Sequence, residues 1–273
     1  MLMQRVVTAL VLLPLLLALV WFAPTPWLYA ALGIVGLVMA WEWTAFMGLN
    51  ARPALRAVYL ALTVLVLAVV WFSPVNGPVL SWALAPVALI WLLMPLRFRG
   101  FPDNGAIAAP VMAVAGQLMI ASTLIAIAAL HALPNGAFKL LFVLFLVFAA
   151  DTGAYFAGRA FGRRKLAPKI SPGKTIEGAI GGLLLCAVWG AVAGSFVFGL
   201  HAPAAIATMI VLSVVAAVVS IIGDLTESML KRSAGLKDSG HILPGHGGIL
   251  DRVDSIVAAT PVMLLGLRLC GLA

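Results

Sequence analysis

Apolar stretches long enough to cross a lipid bilayer recur along the whole 273-residue chain. A membrane-spanning helix needs about 20 predominantly apolar residues, and nine stretches approach or meet this requirement. Their approximate bounds are 5–22, 27–48, 57–73, 79–96, 106–131, 137–157, 175–199, 203–223 and 252–271. We therefore predict an all-α, polytopic integral membrane protein with about nine transmembrane helices.

The balance of apolar and charged residues supports the same class. Hydrophobic residues make up 64% of the chain and charged residues only 10%, whereas soluble domains carry roughly 25% charged residues. The net charge of +8 could indicate nucleic-acid binding, but the basic residues lie in short connections between apolar stretches. Because no basic domain with interleaved aromatic residues is present, we predict no nucleic-acid partner.

The positions of the basic residues predict how the protein is oriented in its membrane. In an arrangement of nine spans, 15 of the 17 Lys and Arg residues fall on one side, and only Lys139 and Arg268 fall on the other. Cytoplasmic connections carry the excess of Lys and Arg. We therefore predict that the N-terminus and the four basic connections are cytosolic.

Charged residues are also distributed unevenly along the chain. Residues 1–150 contain eight of them and residues 151–273 contain eighteen. We therefore predict a membrane-spanning scaffold in residues 1–136 and a membrane-embedded catalytic region in residues 137–273.

Asp151 is the first candidate for a functional residue. The apolar stretch before it, from residue 138 to residue 150, is too short to span a bilayer alone, so Asp151 must lie within a helix near its cytosolic end. Ionisable groups there are costly and commonly functional. The alternative is an interfacial carboxylate paired with a nearby arginine.

The segment Ser171-Pro172-Gly173-Lys174-Thr175 is the second candidate. Ser followed by Pro is typical of a helix N-cap and first helical position, so we predict that the seventh span begins here. Its free N–H groups, together with Lys174, would bind an anion. A P-loop is excluded because Pro168 occupies the position of its first glycine. The alternative role of binding acidic headgroups suits the other basic residues of this connection, which are Arg159, Arg163, Arg164, Lys165 and Lys169.

The end of the eighth span is the third candidate. Asp224, Glu227, Ser228 and Lys231 are three and four residues apart, so a continuing helix would place them on one face. Two carboxylates at the membrane surface suit a hard cation such as Mg²⁺. The alternative for Glu227 and Lys231 is an ordinary ion pair on an exposed helix end.

The densest polar segment is the fourth candidate and runs from Lys237 to Asp254. Glycines at 245, 247 and 248 allow backbone conformations closed to other residues and let phosphates approach main-chain N–H groups. Asp251 and Asp254 follow on one face of the last span, where Asp251 could join Asp224 around a metal. A flexible interfacial turn would explain the glycines but not the acids, bases and histidines around them.

Glu42 is an isolated acid between Trp41 and Trp43 in an otherwise apolar stretch. The sequence offers no partner for it, so a structural role and a functional role stay open.

The polar segments together resemble one family signature. Its elements are Ser228, Lys231-Arg232, Lys237-Asp238, Pro244, His246-Gly247-Gly248 and Asp251-Arg252-Val253-Asp254. This pattern resembles the phosphatidate cytidylyltransferase family, also called CDP-diacylglycerol synthases. The resemblance extends to Asp151–Tyr155 and Ser171–Thr175, and thus covers the chain from about residue 150 onward.

The resemblance implies a nucleotidyltransferase of phospholipid biosynthesis that makes CDP-diacylglycerol and pyrophosphate from CTP and phosphatidic acid, with Mg²⁺ as cofactor. A second, monovalent cation such as K⁺ is a further option. The nucleophile is a lipid phosphate that is already anionic, so the site needs charge neutralisation and positioning rather than a general base. Phosphatidic acid would enter sideways from the inner leaflet of a bacterial inner membrane. The oligomeric state is open, and a homodimer is one option.

Roles follow for individual residues from the resemblance and from their chemistry. Asp224 and Asp251 would bind the metal, supported by Asp254 and Glu227. The predicted catalytic residues are Asp151, Lys174, Lys231, Arg232, Lys237, Asp238, His246 and Arg252. The predicted substrate-binding residues are Ser171, Lys174, Thr175, Ser228, Gly247 and Gly248.

Two other functions compete with this interpretation. An ion-coupled transporter would also place acids in the membrane, but near the midplane rather than at one surface. A CTP-dependent polyprenol or phytol kinase would be similarly polytopic, but it would release CDP instead of pyrophosphate.

Overall fold

The computed structural model describes residues 2–73, 78–103, 105–243, 245 and 247–273. Helices dominate these residues. They are α1 (Leu2–Phe22), α2 (Thr25–Phe46), α3 (Pro53–Phe72), α4 (Pro78–Leu93), α5 (Pro95–Phe98), α6 (Ala109–His131), α7 (Gly136–Phe161), α8 (Ile176–Phe198), α9 (Pro203–Ser233) and α10 (Leu250–Leu269), with a short 3-10 helix at Leu49–Ala51. Two strands, β1 (Lys165–Ala167) and β2 (Ser171–Thr175), form a hairpin between α7 and α8.

The predicted all-α, polytopic membrane fold is confirmed. Each of the nine predicted spans coincides with helix, and the fourth is shared between α4 and α5. In the described part of the chain, seven helices are long and apolar enough to cross a bilayer. The last helix, α10, falls short of that measure because it contains four charged residues.

Helix α10 lies at the centre of the protein. It packs against α9, α6, α4 and α7, and almost every residue from Ser255 to Leu267 is buried. Because protein rather than lipid surrounds this helix, its surface need not be uniformly apolar. Charged residues at its first turn therefore remain compatible with a membrane fold.

Helices α7 and α8 approach each other closely through small residues. A Cβ atom added at Gly182 would lie 2.6 Å from the carbonyl oxygen of Ala150, and one added at Gly178 would lie 2.8 Å from that of Ala154. Small residues allow membrane helices to pack backbone against backbone. This packing brings Asp151 on α7 close to the chain segment that leads into α8.

The predicted start of the seventh span at Ser171 is wrong. Residues 171–175 form strand β2, which pairs with β1 in antiparallel orientation. Helix α8 begins at Ile176, and the Thr175 hydroxyl accepts a hydrogen bond from the Gly178 N–H at 3.1 Å. The Ser-Pro pattern is a local preference that hairpin pairing overrides, while Thr175 provides an equally suitable N-cap.

The hairpin is attached to α8 by Glu177. Its Oε2 accepts hydrogen bonds from the backbone N–H groups of Arg163 and Arg164 at 3.0 and 3.1 Å, and its Oε1 pairs with Arg164 Nε at 3.0 Å. These contacts hold the residues before β1 against the first turn of α8. They thereby fix the position of Lys174, one residue before the cap.

Candidate active site

Charged side chains from three helices and one loop surround a cavity of about 440 Å³. Helix α7 contributes Asp151, α9 contributes two residues, the loop after α9 contributes one and α10 contributes three. We call this space the acidic cavity, and its charged lining residues are Asp151, Asp224, Lys231, Asp238, Asp251, Arg252 and Asp254. Residues that are up to about 100 positions apart in the sequence therefore meet at one point.

The predicted polar face of α9 is confirmed. The Ser228 hydroxyl donates to Asp224 Oδ1 at 3.4 Å, and Lys231 Nζ lies 3.5 Å from Glu227 Oε1. Gly223 lets α9 approach α10, because a Cβ atom there would lie 2.6 Å from the Asp254 carbonyl oxygen. Asp224 consequently faces the same space as Asp254.

Lys174 on strand β2 contacts one lining residue of the acidic cavity, Asp224. It forms an ion pair with Asp224, and the two side chains are 27% and 28% exposed. Lys174 and Asp151 also line a second cavity of about 390 Å³, between α7, the hairpin and α8. We call it the junction cavity, and it adjoins the acidic cavity at Asp151.

Asp251 is surrounded by protein donors. Its Oδ1 pairs with Lys231 Nζ at 2.5 Å. Its Oδ2 accepts from the Ser239 N–H at 2.8 Å, the Ser239 hydroxyl at 2.9 Å and the Gly248 N–H at 2.9 Å. Asp251 therefore connects α9, the loop after it and α10 at one carboxylate.

Glu227 differs from Asp251, because its carboxylate is buried with few partners. The residue is 5% exposed, and in the described residues neither carboxylate oxygen has a hydrogen-bond partner. Lys231 at 3.5 Å is its ion-pair partner. Because a buried charge with only one partner at this distance is costly, the Glu227 carboxylate is a favourable position for a further cation.

The described residues suit a metal site in which the protein supplies only some of the ligands. Among them, no three His, Cys, Asp or Glu side chains converge to hold a metal. Mg²⁺ commonly uses one or two carboxylates and takes its other ligands from water and substrate phosphates. Glu227, Asp224 and Asp254 fit that arrangement better than Asp251, whose oxygens already contact four donors.

Two of the three glycines predicted to adopt special backbone conformations do so, whereas Gly248 has no positive φ. Gly245 and Gly247 have φ values of 74° and 85°, which is the left-handed region that glycine adopts without strain. The Leu243 N–H donates to the Gly247 carbonyl oxygen at 3.0 Å. His246 and Pro244 lie outside the described residues, so the role predicted for His246 stays a prediction.

Some of the other predicted site residues line one of the two cavities, and others do not. Asp238 and Arg252 line it, and Thr175 lines the junction cavity while capping α8. Gly248 uses its N–H to bind Asp251. In the part of the chain that the structure describes, Ser171, Arg232 and Lys237 are not among the lining residues of either cavity.

Two residues contact the site without having been predicted to do so. Ser239 bonds to Asp251, and Glu42 from α2 contacts both Ser239 and the start of α10. The only sequence signal for Glu42 is that an acid stands within an apolar stretch. Its partners are about 200 positions away along the chain, and no local pattern reveals them.

Comparisons with known proteins point to one family. Residues 3–270 match the model of the cytidylyltransferase family. Proteins named phosphatidate cytidylyltransferase are similar over nearly the whole chain. One from Haemophilus influenzae is 40% identical, covering 96% of each chain. One from Pseudomonas aeruginosa is 38% identical, covering 96% of this chain and 95% of the relative. One from Brucella suis is 34% identical, covering 97% and 92%.

Proposed function

The chain belongs to the cytidylyltransferase family, and from this premise we propose that it is a phosphatidate cytidylyltransferase. A phosphate oxygen of phosphatidic acid attacks the α-phosphorus of CTP. The bond between the α-phosphorus and the bridging oxygen to the β-phosphate breaks, so that CDP-diacylglycerol and pyrophosphate form. The observation that carries this proposal is a cavity in which acids and bases from α7, α9 and α10 converge, in a chain similar over its full length to enzymes with that name.

The chemistry requires two anionic phosphates to approach each other. Neutralising their charge and holding them in line supplies most of the catalysis in such reactions. We assign this work to Lys174 and Lys231. The Lys174 ammonium group pairs with Asp224, and the Lys231 ammonium group pairs with Asp251. Arg252, which also lines the acidic cavity, is a third candidate. The predicted phosphate contacts of Arg232, Lys237 and His246 stay predictions.

A divalent metal is expected for this family, and we propose that it is Mg²⁺. One or two of the carboxylates of Asp224, Glu227 and Asp254 would hold it together with substrate phosphates and water, and Asp251 is a further predicted ligand. Mg²⁺ bound there would neutralise charge that develops on the transferring phosphate. For Asp251 to coordinate directly, its Oδ1 would have to exchange Lys231 for the metal. The predicted monovalent cation, such as K⁺, would take the remaining carboxylate oxygens.

An apolar cavity of about 540 Å³ suggests where the lipid substrate lies. It is formed by α5, the hairpin, α8 and α9, and Arg99 and Lys169 are among its lining residues. We call it the lipid cavity. It shares Leu166, Ala179 and Ile221 with the junction cavity, which in turn shares Asp151 with the acidic cavity. We infer that acyl chains occupy the lipid cavity while the phosphate group points toward Lys174.

A bulky substitution in the lipid cavity is expected to affect one substrate selectively. Leu183 on α8 lines this cavity. The larger side chain in Leu183→Trp would fill part of the cavity, so that the acyl chains bury less apolar area, and KM for phosphatidic acid should rise at least about tenfold. KM for CTP should stay within about twofold of its value in the unmodified protein, because the substitution does not alter the contacts with the nucleotide. The matched control is Leu184→Trp, because Leu184 is the neighbouring residue and is 63% exposed on the outer surface. Equal KM values in both variants would exclude this route for the lipid.

Several features support the predicted setting of the enzyme. The apolar helices make it an integral membrane protein, and the four basic connections favour a cytosolic N-terminus and a cytosolic site. We propose the bacterial inner membrane as its location, since the similar proteins named above are bacterial. A homodimer stays a prediction.

The function is tested with purified protein in detergent. Pyrophosphate is measured after CTP, phosphatidic acid and Mg²⁺ are added together and after each is omitted. We expect pyrophosphate only with all three, together with a lipid product that contains the cytidine label. Release of CDP would identify a kinase instead, and turnover of CTP that does not depend on lipid would overturn the proposal.

A further inference from the structure

Glu42 is a buried carboxylate in the part of the chain that is predicted to serve as scaffold. It lies on α2 and is 2% exposed. Its Oε1 accepts from the Ile249 N–H at 2.9 Å, and its Oε2 accepts from the Leu250 N–H at 2.8 Å. These N–H groups belong to the start of α10, where a helix has donors without internal partners. The residue at the N-cap of α10 is Ile249, whose side chain cannot accept a hydrogen bond. Glu42 therefore caps α10 from another helix.

The contacts of Glu42 continue into the acidic cavity through Ser239. The Ser239 hydroxyl lies 3.1 Å from Glu42 Oε2 and 2.9 Å from Asp251 Oδ2. The Ser239 N–H also donates to Asp251 Oδ2 at 2.8 Å. The hydroxyl therefore lies within hydrogen-bond distance of both carboxylates and donates its one hydrogen to either of them, which links a residue of α2 to the carboxylate that pairs with Lys231.

The glycine turn is packed directly onto Glu42. A Cβ atom added at Gly248 would lie 2.7 Å from both carboxylate oxygens of Glu42, and one added at Gly240 would lie 2.5 Å from Oε1. Contacts this short are not tolerated by a real Cβ atom. Glycine at 248 is therefore needed so that the loop can approach Glu42, in addition to any contact with phosphate.

A cap for one helix would require only the two bonds to α10. The additional contacts all end at the loop that holds Asp251, and polar partners of this kind fix the orientation of the groups they contact. We propose that Glu42 is a positioning residue for cytidylyl transfer, which holds Ser239, the start of α10 and thereby the Asp251 carboxylate in place against Lys231. This inference rests on the proposed function, and Glu42 itself does not touch the reacting atoms.

Glu42→Gln tests the role in catalysis. Three donors converge on the carboxylate, so an amide must turn its own NH₂ group toward at least one of them. We expect kcat to fall about 10- to 100-fold, as is found when partners of active-site ligands are removed. KM for phosphatidic acid should change little, because the lipid cavity is lined by other residues.

Thr63→Val provides the matched control. Thr63 is fully buried in α3, and its hydroxyl accepts from Gln117 Nε2 at 2.8 Å and donates to the Tyr59 carbonyl oxygen at 2.9 Å. It is buried and hydrogen-bonded like Glu42 but makes no contact with the loop. We expect it to lower the melting temperature without lowering kcat. If both variants keep the kcat of the unmodified protein, the positioning role is overturned.

A double-mutant cycle separates positioning from general destabilisation. Ser239→Ala removes the hydroxyl between Glu42 and Asp251 but keeps the backbone contact. Because both changes interrupt one connected path, we expect their effects on kcat to be less than additive, whereas Glu42→Gln and Thr63→Val should be additive. Ser239→Ala removes no buried charge, so it also covers the case in which Glu42→Gln does not fold. Additive effects within the Glu42 and Ser239 pair would contradict the proposal.

Hydrogen exchange gives a readout that does not depend on activity. In Glu42→Gln, the amides of residues 239 and 248–251 should exchange at least about tenfold faster, because local opening exposes them. The same peptides should be unchanged in Thr63→Val. If the unmodified protein were inactive with CTP and phosphatidic acid, the proposed function would fail while this measurement still reported on the loop. Unchanged exchange in an active Glu42→Gln protein would overturn the positioning role alone.

Discussion

Asp251→Asn is expected to abolish turnover and also to destabilise the protein. The carboxylate uses Oδ1 for Lys231 and Oδ2 for the donors from Ser239 and Gly248. An amide has one oxygen, so its NH₂ group must face either the ammonium or the loop donors. Lys231 and Asp251 side chains are only 13% and 6% exposed. Breaking a buried pair costs about 3–5 kcal/mol when it leaves one charge unpaired, and the contact of Lys231 with Glu227 at 3.5 Å should offset part of this cost.

The measurements for this variant are kcat from pyrophosphate release and the melting temperature in detergent. We expect kcat to fall more than about a hundredfold, as when a preorganised electrostatic contact is lost, and the melting temperature to fall with it. Asp103→Asn is the control, since Asp103 is an exposed carboxylate away from the three cavities. Near-normal turnover in Asp251→Asn would show that neither the metal nor the loop depends on this carboxylate.

Asp224→Asn is expected to separate activity from stability. Asp224 pairs with Lys174, and both side chains are more than a quarter exposed, so the loss of the pair should cost about 1 kcal/mol or less. Asp224 is nevertheless a proposed Mg²⁺ ligand beside Asp254 and Glu227. Removing its charge should therefore lower kcat at least about a hundredfold.

A Mg²⁺ titration distinguishes two roles for Asp224, which are binding of the metal and orientation of Lys174. The Mg²⁺ concentration that gives half-maximal rate should rise strongly in Asp224→Asn. Lys139→Met controls for the loss of one partly buried charge, because Lys139 packs against Phe198 near the start of α7, where the predicted topology places the opposite membrane surface. A normal Mg²⁺ requirement together with reduced kcat would assign Asp224 to orienting Lys174 rather than to binding the metal.

Much of the fold could be predicted because each membrane-spanning segment must be apolar by itself. Each span must satisfy its own backbone and present apolar side chains to lipid, so it can be recognised without knowledge of its neighbours. The polar face of α9 was predictable for a similar reason, since helical periodicity alone places Asp224, Ser228 and Lys231 together. The glycine turn before α10 also carried its own conformational signal.

Errors and omissions arose where a neighbouring segment decides the outcome. Ser171-Pro172 has the local pattern of a helix start, yet pairing with β1 makes this segment a strand and leaves Thr175 as the cap. The predicted role of Asp251 as a metal ligand stays a prediction, but its protein contacts could not be predicted from the sequence. Its actual contacts with Lys231, Ser239 and Gly248 depend on how α9 and the loop fold back over that helix.

The sequence by itself determined the membrane class, the predicted orientation and the family, because hydropathy, basic connections and a spaced signature are properties of short segments. Only the tertiary structure decided which charges meet. Lys174 and Asp224 are 50 positions apart, and Glu42 and Leu250 are 208 positions apart. Such pairs form when small residues let helices approach and when buried donors need an acceptor, and both conditions depend on packing between segments distant in the chain.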